Sequence, residues 1–414
     1  MEKPNLMIVG AGGVGAVAAH KAVEFKNSFG DITLASRTRT KMDRIARDIS
    51  ERWQGTGNRP ALETRQVNAR DLNAVRALIA ETGSDIVLNV AAPYCNETLL
   101  DACLAEGAHY IDTAVAEREH VENMPAPWYA HVEWPRRDRF RDRGLTAVLG
   151  MGFDPGVVNI FCAYAKKHLL DSIRSIDVID VNGGDHGRYF ATNFDPDTNL
   201  REIREDVIYW ENGGFKTVPR HSRMQDVTLP SVGRHKVYSM GHDEIHSLSR
   251  TYPDVERIEF WMGFSDRYLE VFNVLDRLGL LSSLPVNVNG VEMAPLQMVK
   301  AVLPDPASLA ADYTGSVCIG CDIRGEKDGE PRRVFLYTTC DHDHCYRDVG
   351  AQAISYTTGV PAAAATRLVA DGLWSPQTMV HAEEMDPDPF LDLMPEMGLN
   401  WRMTDLPLDG SWPF

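Results

Sequence analysis

The chain carries a glycine-rich hexapeptide, GAGGVG, at positions 10–15. It follows the apolar run Leu6–Val9 and precedes a helical pattern, as in a dinucleotide-binding strand–loop–helix unit. The first glycine of such a loop permits a tight turn, the second lets the backbone approach a pyrophosphate, and the last lets helix and strand pack closely. The helix N-terminus adds free N–H groups and a positive dipole end. A glycine-rich turn without a ligand is the alternative; we predict cofactor contacts at Gly10, Gly12, Gly13, Val14 and Gly15.

The end of the second predicted strand, 31–36, indicates which dinucleotide binds. NAD-binding proteins carry an Asp or Glu about 20 residues after the glycine loop, where it accepts a hydrogen bond from the ribose 2′-hydroxyl. Position 35 is alanine, and the segment continues as Ser36-Arg37-Thr38 without a carboxylate. These side chains can bind a 2′-phosphate by charge and hydrogen bonds, so we predict NADP (NADPH) rather than NAD. Stacking of Arg37 on the adenine ring is the alternative interpretation.

Short apolar runs alternate with helical patterns over the first 150 residues, which predicts an α/β fold with a parallel sheet, the Rossmann arrangement. Ligands of such sheets bind beyond the carboxyl ends of the strands. Loop packing is the alternative for each residue found there. We predict cofactor contacts at the residues that follow the third, fourth and fifth predicted strands, with Tyr94 next to the second of these sets. They are Asn68 and Ala69; Ala91, Ala92 and Pro93; and Asp112 and Thr113.

The pattern changes after Gly150. Strand-like stretches between 175 and 263, a hairpin turn at Asn212-Gly213, and a further hairpin of 316–324 with 332–340 predict a second α/β domain on a largely antiparallel sheet. We expect Asp154-Pro155 to begin a helix over 155–170, because Asp is a good N-cap and Pro suits the first turn. Helices are also predicted at 346–357 and 361–371, with an irregular segment at 385–398. The expected parts of the chain are therefore 1–152, 153–345 and 346–414.

Composition excludes several classes of protein. Of the 414 residues 44% are apolar and 24% are charged, which is the balance of a globular rather than a disordered chain. A net charge of −17 argues against general nucleic-acid binding. The N-terminal residues lack a signal-peptide pattern, no stretch has the composition of a membrane span, and seven cysteines favour a reducing compartment. We expect a cytoplasmic protein that binds neither nucleic acid nor membrane.

Four of the cysteines raise the question of zinc. Cys318 and Cys321 form a C-x-x-C pair, and Cys340 and Cys345 follow after a spacer of 18 residues. The first pair lies on a predicted strand, where side chains three residues apart point to opposite faces. We therefore predict no metal site.

Longer segments of the chain resemble the saccharopine dehydrogenase-like reductases. The shared motifs are GAGGVG, SRT, AAPY, DTA and, above all, GMGFDPGVVNIFCAYA at 150–165. Further runs resemble a branch of this family that acts in polyamine biosynthesis, and the resemblance covers nearly the whole chain. These runs are DVNGGDHG (180–187), FATNFDPDTN (190–199), HSRM (221–224), HKVYSMGHDE (235–244), RIEFWMGFSDRYL (257–269), QAISYTTGVPA (352–362) and MDPDPFL (385–391).

The resemblance implies a fold and an activity. The late helices would return to the Rossmann domain, and the inserted α/β domain would contribute to substrate binding and to a homodimer. L-Aspartate β-semialdehyde would condense with 1,3-diaminopropane or putrescine, and NADPH would reduce the imine to carboxynorspermidine or carboxyspermidine. A saccharopine-type reductase acting on α-aminoadipate semialdehyde and glutamate is one alternative, although its acidic substrates call for more basic anchors. A non-catalytic NADP-binding sensor is another.

An imine reductase must hold the imine carbon against the nicotinamide in a dry cleft and needs no dedicated acid, so we assign no catalytic residue. Asp154 and His186 are the candidates. Asp154 belongs to Phe153-Asp154-Pro155-Gly156, which would place a helix N-terminus beside the nicotinamide or a substrate carboxylate. His186 could act as a proton relay. A plain N-cap and a structural loop histidine are the respective alternatives. The substrate-binding candidates are Tyr94, Asp185, His186, Asn193, Asp195, His221 and Arg223.

Overall fold

A computed structural model describes residues 3–52, 62–116 and 129–414, which divide into two compact units. The first unit holds the described residues up to 116 together with Tyr129–Ala163 and Ser355–Leu399, and the second holds Tyr164–Ile354 and Asn400–Phe414. These boundaries differ from the expected ones at 152 and 345. Residues 157–163 are buried within the first unit, and the segment after 400 supplies a strand to the sheet of the second.

The first unit contains a parallel sheet whose seven described strands have the order β17-β6-β5-β4-β1-β2-β3. The central strands are buried along their whole length, as expected for strands covered by helices on both faces. The predicted parallel α/β arrangement is thereby confirmed. Its strands are β1 (Leu6–Val9), β2 (Ile32–Ser36), β3 (Leu62–Gln66), β4 (Ile86–Asn89), β5 (His109–Asp112), β6 (Ala147–Leu149) and β17 (Met379–His381), and its helices are α1 (Gly13–Glu24), α2 (Arg39–Arg52), α3 (Leu72–Thr82), α4 (Asn96–Glu106), α5 (Arg137–Asp142), α6 (Val157–Tyr164), α12 (Ala353–Ala370) and α13 (Pro387–Glu396).

The second unit is built on a nine-stranded sheet with the order β10-β11-β12-β7-β15-β16-β18, in which β8 pairs with β12 and β9. Only β7 and β12 are paired in parallel among these described strands, so the sheet is largely antiparallel, as predicted. The elements are β7 (Ser172–Asn182), α7 (Pro196–Arg204), β8 (Val207–Glu211), β9 (Gly214–Val218), β10 (Met224–Leu229), β11 (Gly233–Met240), α8 (Asp243–Thr251), β12 (Arg257–Gly263), α9 (Asp266–Arg277), a separate hairpin of β13 (Val286–Val288) and β14 (Val291–Met293), α10 (Pro295–Val302), β15 (Ser316–Lys327), β16 (Glu330–Asp341), α11 (His342–Val349) and β18 (Trp401–Asp405).

The two faces of this second sheet differ in character because side chains alternate along each strand. On one face, Ile179, Val181 and Trp261 belong to an apolar cluster. On the other face, β7 presents Asp180 and Asn182 at its carboxyl end, and the strand register places Met262 beside Asp180. A carboxylate on a central strand of a buried sheet is costly unless it is partnered, so this face is where a polar site is expected.

Three helix predictions were wrong in their bounds. The helix expected from Pro155 begins at Val157, because Gly156 has φ +132° and its amide is already bonded to a side chain. The helices predicted at 346–357 and 361–371 are instead α11, which ends at Gly350 in the left-handed conformation, and α12, which runs through Pro361. The segment 385–398, expected to be irregular, contains α13, which Asp386 caps and Pro387 begins.

Among the described residues, no helix is both long and apolar enough to cross a membrane.

Candidate active site

The glycine loop lies at the carboxyl end of β1, an interior strand of the first sheet, and each glycine occupies a distinct environment. Gly10 has φ +124°, and a Cβ there would lie 2.6 Å from the carbonyl oxygen of Val90. A Cβ on Gly15 would lie 2.0 Å from the carbonyl oxygen of Gly10. A Cβ on Gly12 would have no described atom within 4 Å. The fold therefore requires glycine at 10 and 15, whereas Gly12 leaves room for a ligand at the start of α1.

The N-terminus of α1 suits an anion. Its N-cap is Gly12, which offers no side-chain hydrogen bond, and the first turn contains no acidic residue. Gly13 is half-buried, and a Cβ there would collide with Oγ of Ser355. Val14, next along the helix, is half-buried as well. Uncapped first-turn amides and the positive end of the helix dipole are the groups that bind a pyrophosphate.

The end of β2 presents the predicted phosphate-binding side chains to solvent. Arg37 and Thr38 are exposed, and Ser36 is half-buried. The backbone carbonyl of Arg37 accepts a hydrogen bond from Nε2 of Gln66 (2.8 Å), which fixes the loop while leaving the guanidinium outside it. Within the described residues the Arg37 guanidinium makes no ion pair. A solvent-facing arginine in this position is available to a 2′-phosphate.

The remaining strand ends of the first unit are more varied. Asn68 and Ala92 are exposed, whereas Ala69 is buried; Ala91, Pro93 and Thr113 are half-buried. The ring of Tyr94 lies beneath the guanidinium of Arg70 at 5.7 Å from its centroid.

Asp112 is buried and hydrogen-bonded to the residue that follows β6. It is 1% exposed, and its carboxylate accepts a hydrogen bond from the amide of Gly150 (2.7 Å). A bond this short from a backbone amide ties the ends of β5 and β6 together. The side chain therefore helps to fix the positions of the loops that follow these two strands.

The Phe153–Gly156 segment forms a buried bend before α6. Phe153 and Pro155 are buried, Asp154 is half-buried, and the Asp154–Pro155 peptide is cis. The amide of Gly156 donates to Oδ1 of Asn159 (2.9 Å), and Nδ2 of Asn159 donates to the buried Glu383 (2.9 Å). Asp154 lies three residues before Val157, the first residue of α6. A Cβ on Gly156 would lie 2.2 Å from the carbonyl oxygen of Gly152, so the bend requires glycine there.

In the second unit, a hydrogen-bonded network forms around Tyr313 at the carboxyl end of β7. Nδ2 of Asn182 donates to the Tyr313 hydroxyl (2.6 Å), which donates to Oδ1 of Asn193 (2.7 Å). His342 stacks on the Tyr313 ring at 3.6 Å, and His186 contacts it edge-on at 5.3 Å. Asn193 and His186 were predicted site residues; the other three were missed, although Asn182 lies within the DVNGGDHG run.

The histidines of this network are neutral at pH 7. Burial lowers the pKa of His342 to about 4 and also lowers the pKa of His186. Nδ1 of His342 accepts from the amide of Ala353 (3.1 Å), so its Nε2 carries the proton and donates to Asn182 (3.1 Å). Nδ1 of His186 accepts from the amide of Arg188 (3.0 Å). Asp185, next in the chain, is exposed and accepts from the amide of Gly187. Neutral donors of this kind suit a polar substrate better than they suit acid catalysis.

Three other predicted substrate residues, Asp195, Arg223 and His221, make contacts elsewhere in the second unit. Asp195 caps α7 and pairs with Lys300 (2.7 Å). Arg223 forms a two-point ion pair with the buried Glu259 (2.6 and 2.9 Å). His221 packs against Phe272 and Tyr238, and burial lowers its pKa. None of these three belongs to the Tyr313 network.

A second polar group on the same face of the sheet was not predicted at all. It comprises Asp180, Glu202, His242 and Glu244; Nδ1 of His242 lies 2.5 Å from Oε2 of Glu244. Burial raises the pKa of Asp180 to about 7, in spite of the nearby His242, and Glu244 raises it further. Glu202 also has a raised pKa, chiefly through burial. The period-two alternation of β7 is the signal that could have found Asp180, which is polar at an inward-facing position.

The cysteines of the predicted C-x-x-C pair face opposite sides of β15. Cys318 pairs in register with Val181 and Cys321 with Val178, which point away from each other. Sγ of Cys340 lies 3.0 Å from Sγ of Cys345, and burial raises the pKa of the Cys318 thiol. In the described part of the chain, no group of three or more His, Cys, Asp or Glu side chains could hold a metal ion.

The first unit has a parallel sheet with a glycine loop at the end of an interior strand, and the second unit has a sheet with one polar face. These features together define a dinucleotide-dependent oxidoreductase. Residues 6–148 match the saccharopine dehydrogenase NADP binding domain, and residues 152–399 match the saccharopine dehydrogenase C-terminal domain. The chain belongs to the saccharopine dehydrogenase family.

Three comparisons refine this assignment. Carboxynorspermidine synthase from Vibrio alginolyticus is 48% identical over 402 residues, covering 97% of each chain. Carboxyaminopropylagmatine dehydrogenase from Synechocystis is 43% identical and covers 99% of each chain. Among solved structures, saccharopine dehydrogenase (L-Glu forming) from Saccharomyces cerevisiae superposes with a TM-score of 0.70 at 13% identity, covering 98% of this chain and all of that one. The two relatives share the whole length of the chain, and the solved structure shares its fold.

Proposed function

We propose that the protein reduces, with NADPH, the imine formed between L-aspartate β-semialdehyde and a diamine, 1,3-diaminopropane or putrescine. The product is carboxynorspermidine or carboxyspermidine, in polyamine biosynthesis. The observation that carries this proposal is the 48% identity to a carboxynorspermidine synthase along 97% of both chains. The relative whose name specifies an agmatine derivative makes agmatine a third amine to test.

NADPH is the proposed cofactor because of the residues at the end of β2. Arg37 is exposed and free of ion pairs within the described chain, and no carboxylate stands among residues 35–39 to bind a ribose 2′-hydroxyl. Above the N-terminus of α1, the open space at Gly12 fits a pyrophosphate. The match to an NADP binding domain agrees with this choice.

The chemistry assigned to the protein itself is binding and orientation. When bound, the cofactor supplies a hydride for the imine carbon. The neutral donors around Tyr313 would hold the polar amino-acid end of the substrate, and the buried aromatic and histidine side chains would keep water away from the imine. The imine nitrogen is protonated when the Schiff base forms, so reduction yields the secondary amine without a further proton from the protein.

The direct test is NADPH oxidation by purified protein with aspartate β-semialdehyde plus 1,3-diaminopropane, putrescine, agmatine or no amine. Oxidation that requires both aldehyde and amine is the expected result, and the fastest amine identifies the product. Turnover only with glutamate and α-aminoadipate semialdehyde would instead assign a saccharopine-type reaction. NADPH binding without turnover in any mixture would make the protein a sensor.

We further propose that the protein forms a homodimer through an exposed apolar surface at 274–302. This stretch carries eight exposed large apolar side chains, a set that a monomer rarely leaves in water. They are Val274, Leu278, Leu284, Val286, Val288, Val291, Met298 and Val302. Light scattering should show a dimer for the wild type and a monomer for Val288→Glu/Val291→Glu, whereas Leu373→Glu, at an exposed leucine elsewhere, should stay dimeric. A monomeric wild type would reject the surface.

A reducing compartment, the cytoplasm, is the proposed location, since the seven cysteines are buried thiols outside any disulfide. Cell fractionation followed by detection of the protein tests it, and recovery in an oxidising compartment would reject it.

A further inference from the structure

The acidic group of the second unit lies beside the Tyr313 network. Asp180 precedes Asn182 by two residues on the same face of β7, a separation of about 7 Å along the strand. Asp180 is also close enough to Tyr313 to raise the pKa of its hydroxyl. The two groups therefore form adjoining parts of one polar face, one built of neutral donors and the other of carboxyls.

The carboxyls of this group have hydrogen-bonding capacity that the described residues do not satisfy. Oδ1 of Asp180 and Oε1 of Glu244 are buried without a partner, and Glu244 is 0% exposed. The other oxygen of Glu244 contacts His242, whose ring stacks on Phe260 with centroids 4.0 Å apart. Buried carboxylate oxygens without donors are costly and uncommon in native structures. Their presence points to a ligand that supplies donors.

Charge in the group is unbalanced. The group has three carboxyls and one histidine, His242. Arg201 is a second cationic side chain that lies near Glu202. Asp180 and Glu202 keep part of their surface accessible although desolvation dominates the pKa of both. Both side chains therefore lie at the border between the protein interior and solvent.

Aromatic rings lie beside this acidic group. Tyr268 lies close to Glu202, stacks on Phe190 (4.8 Å) and on Phe264 (5.7 Å), and donates from its hydroxyl to Asn199 (2.8 Å). Phe264 in turn contacts Tyr238. Carboxylates with aromatic rings beside them bind organic cations: the carboxylates provide charge and acceptors, and the rings provide an apolar wall with negative faces.

We propose that Asp180, Glu202 and Glu244 bind the cationic group at the unreacted end of the amine substrate. This assignment rests on the proposed function and names the part of the protein that selects the amine. An ammonium has three N–H donors, which can reach the unpartnered oxygens of Asp180 and Glu244. The aldehyde-derived end would then extend toward the Tyr313 network.

The test compares a diamine with an amine that lacks the second cation. With NADPH and aspartate β-semialdehyde, kcat/KM is measured for 1,3-diaminopropane and for propylamine, and their ratio reports binding of the distal cation. The ratio should be large in the wild type and should fall by about 10- to 100-fold in Asp180→Asn and in Glu244→Gln, the range of one charge-assisted hydrogen bond. Glu270→Gln removes an exposed carboxylate from α9 and serves as the matched control.

Two results would overturn the assignment. A wild type that uses propylamine as well as 1,3-diaminopropane has no distal cation site. Folded Asp180→Asn and Glu244→Gln proteins that both retain the wild-type ratio place the site elsewhere. Thermal unfolding of each variant checks the fold, and the wild-type comparison needs no variant.

Calorimetry separates this inference from the proposed reaction. If the wild type turns over no amine, the proposed function fails, and titration of 1,3-diaminopropane into the NADPH-loaded protein then tests the site alone. Binding that weakens at least tenfold in Asp180→Asn upholds the cation site without the reaction. Equal binding by wild type and variant, or no binding by the wild type, rejects it. The same titration with agmatine shows whether a guanidinium is accepted.

Discussion

Replacing Gly12 with valine should weaken cofactor binding strongly while leaving the protein folded. Gly12 has φ −85° and ψ −167°, an extended conformation that valine adopts readily. A Cβ at this position meets no described atom within 4 Å. The new side chain would instead occupy the space at the N-terminus of α1 where a pyrophosphate would approach.

The expected magnitudes differ sharply between folding and binding. Valine is a poorer N-cap than glycine, which costs about 1 kcal/mol of unfolding free energy. Loss of one or two charge-assisted hydrogen bonds from helix amides to phosphate costs about 2–5 kcal/mol of binding free energy. With 1.4 kcal/mol per factor of ten, the dissociation constant for NADPH should rise at least about 30-fold.

Gly15→Ala provides the matched contrast. Its Cβ would lie 2.0 Å from the carbonyl oxygen of Gly10, so this smaller change should cost about 1–3 kcal/mol of stability or more. NADPH fluorescence titration and thermal unfolding are measured on both variants. A Gly12→Val protein that binds NADPH as tightly as the wild type would refute the placement of the pyrophosphate. A Gly12→Val protein that unfolds at a lower temperature than Gly15→Ala would refute the structural reasoning.

Three further changes test other parts of the structure. Arg37→Glu should weaken NADPH by about 10- to 100-fold and NADH by far less, since only NADPH carries the 2′-phosphate; equal losses in fluorescence titrations would contradict that role. Burial raises the pKa of Asp180 to about 7, so the native state holds a proton that the unfolded chain releases above its ordinary pKa of 3.8. Stability should therefore fall by at most about 4 kcal/mol as the pH rises from 4 to 8, and denaturant unfolding of Asp180→Asn should show a flatter profile; an unchanged slope would contradict the raised pKa. Arg333→Leu should lower the unfolding free energy by about 3–5 kcal/mol, because it strands the buried Asp322 carboxylate, and Asp322→Leu/Arg333→Leu should recover part of the loss.

Local rules predicted much of the fold. The glycine loop, the alternation of strands and helices, and the Asn212-Gly213 turn depend on residues next to each other in the chain. The predictions of helix bounds failed where contacts between residues distant in the sequence determine the structure. Gly156 is bonded to Asn159, which in turn is held by Glu383, so the start of α6 depends on a residue far along the sequence. Pro361 was expected to begin a second helix, yet it lies buried within α12, which continues through it although Pro361 has no amide N–H to donate.

The positions of the residues at the strand ends could be predicted, because strand order determines them. The side-chain contacts could not, because they depend on residues distant in sequence. The ends of parallel strands share an edge, so Arg37 and Asn68 could be placed from strand order alone. Asp195 and Arg223 looked equally available in the sequence, but Lys300 and Glu259 neutralise them. Asp180 was passed over because its significance depends on His242 and Glu244, which are distant in sequence and lie near it only in the folded second unit. Single-residue chemistry cannot reveal a group that three separate elements assemble.

The interleaved path of the chain has a consequence for biosynthesis. The first sheet lacks β17 until synthesis has passed residue 381, while the sheet made from residues 172–341 can pair much earlier. That earlier sheet is itself unfinished at one side until β18 covers β16, a long strand with a buried apolar centre. An uncovered strand of this kind can pair edge to edge with a strand of another copy. A chain shortened before residue 400, or one whose C-terminus is held by a fusion partner, would therefore be lost to aggregation during production, before any defect in its chemistry could be measured.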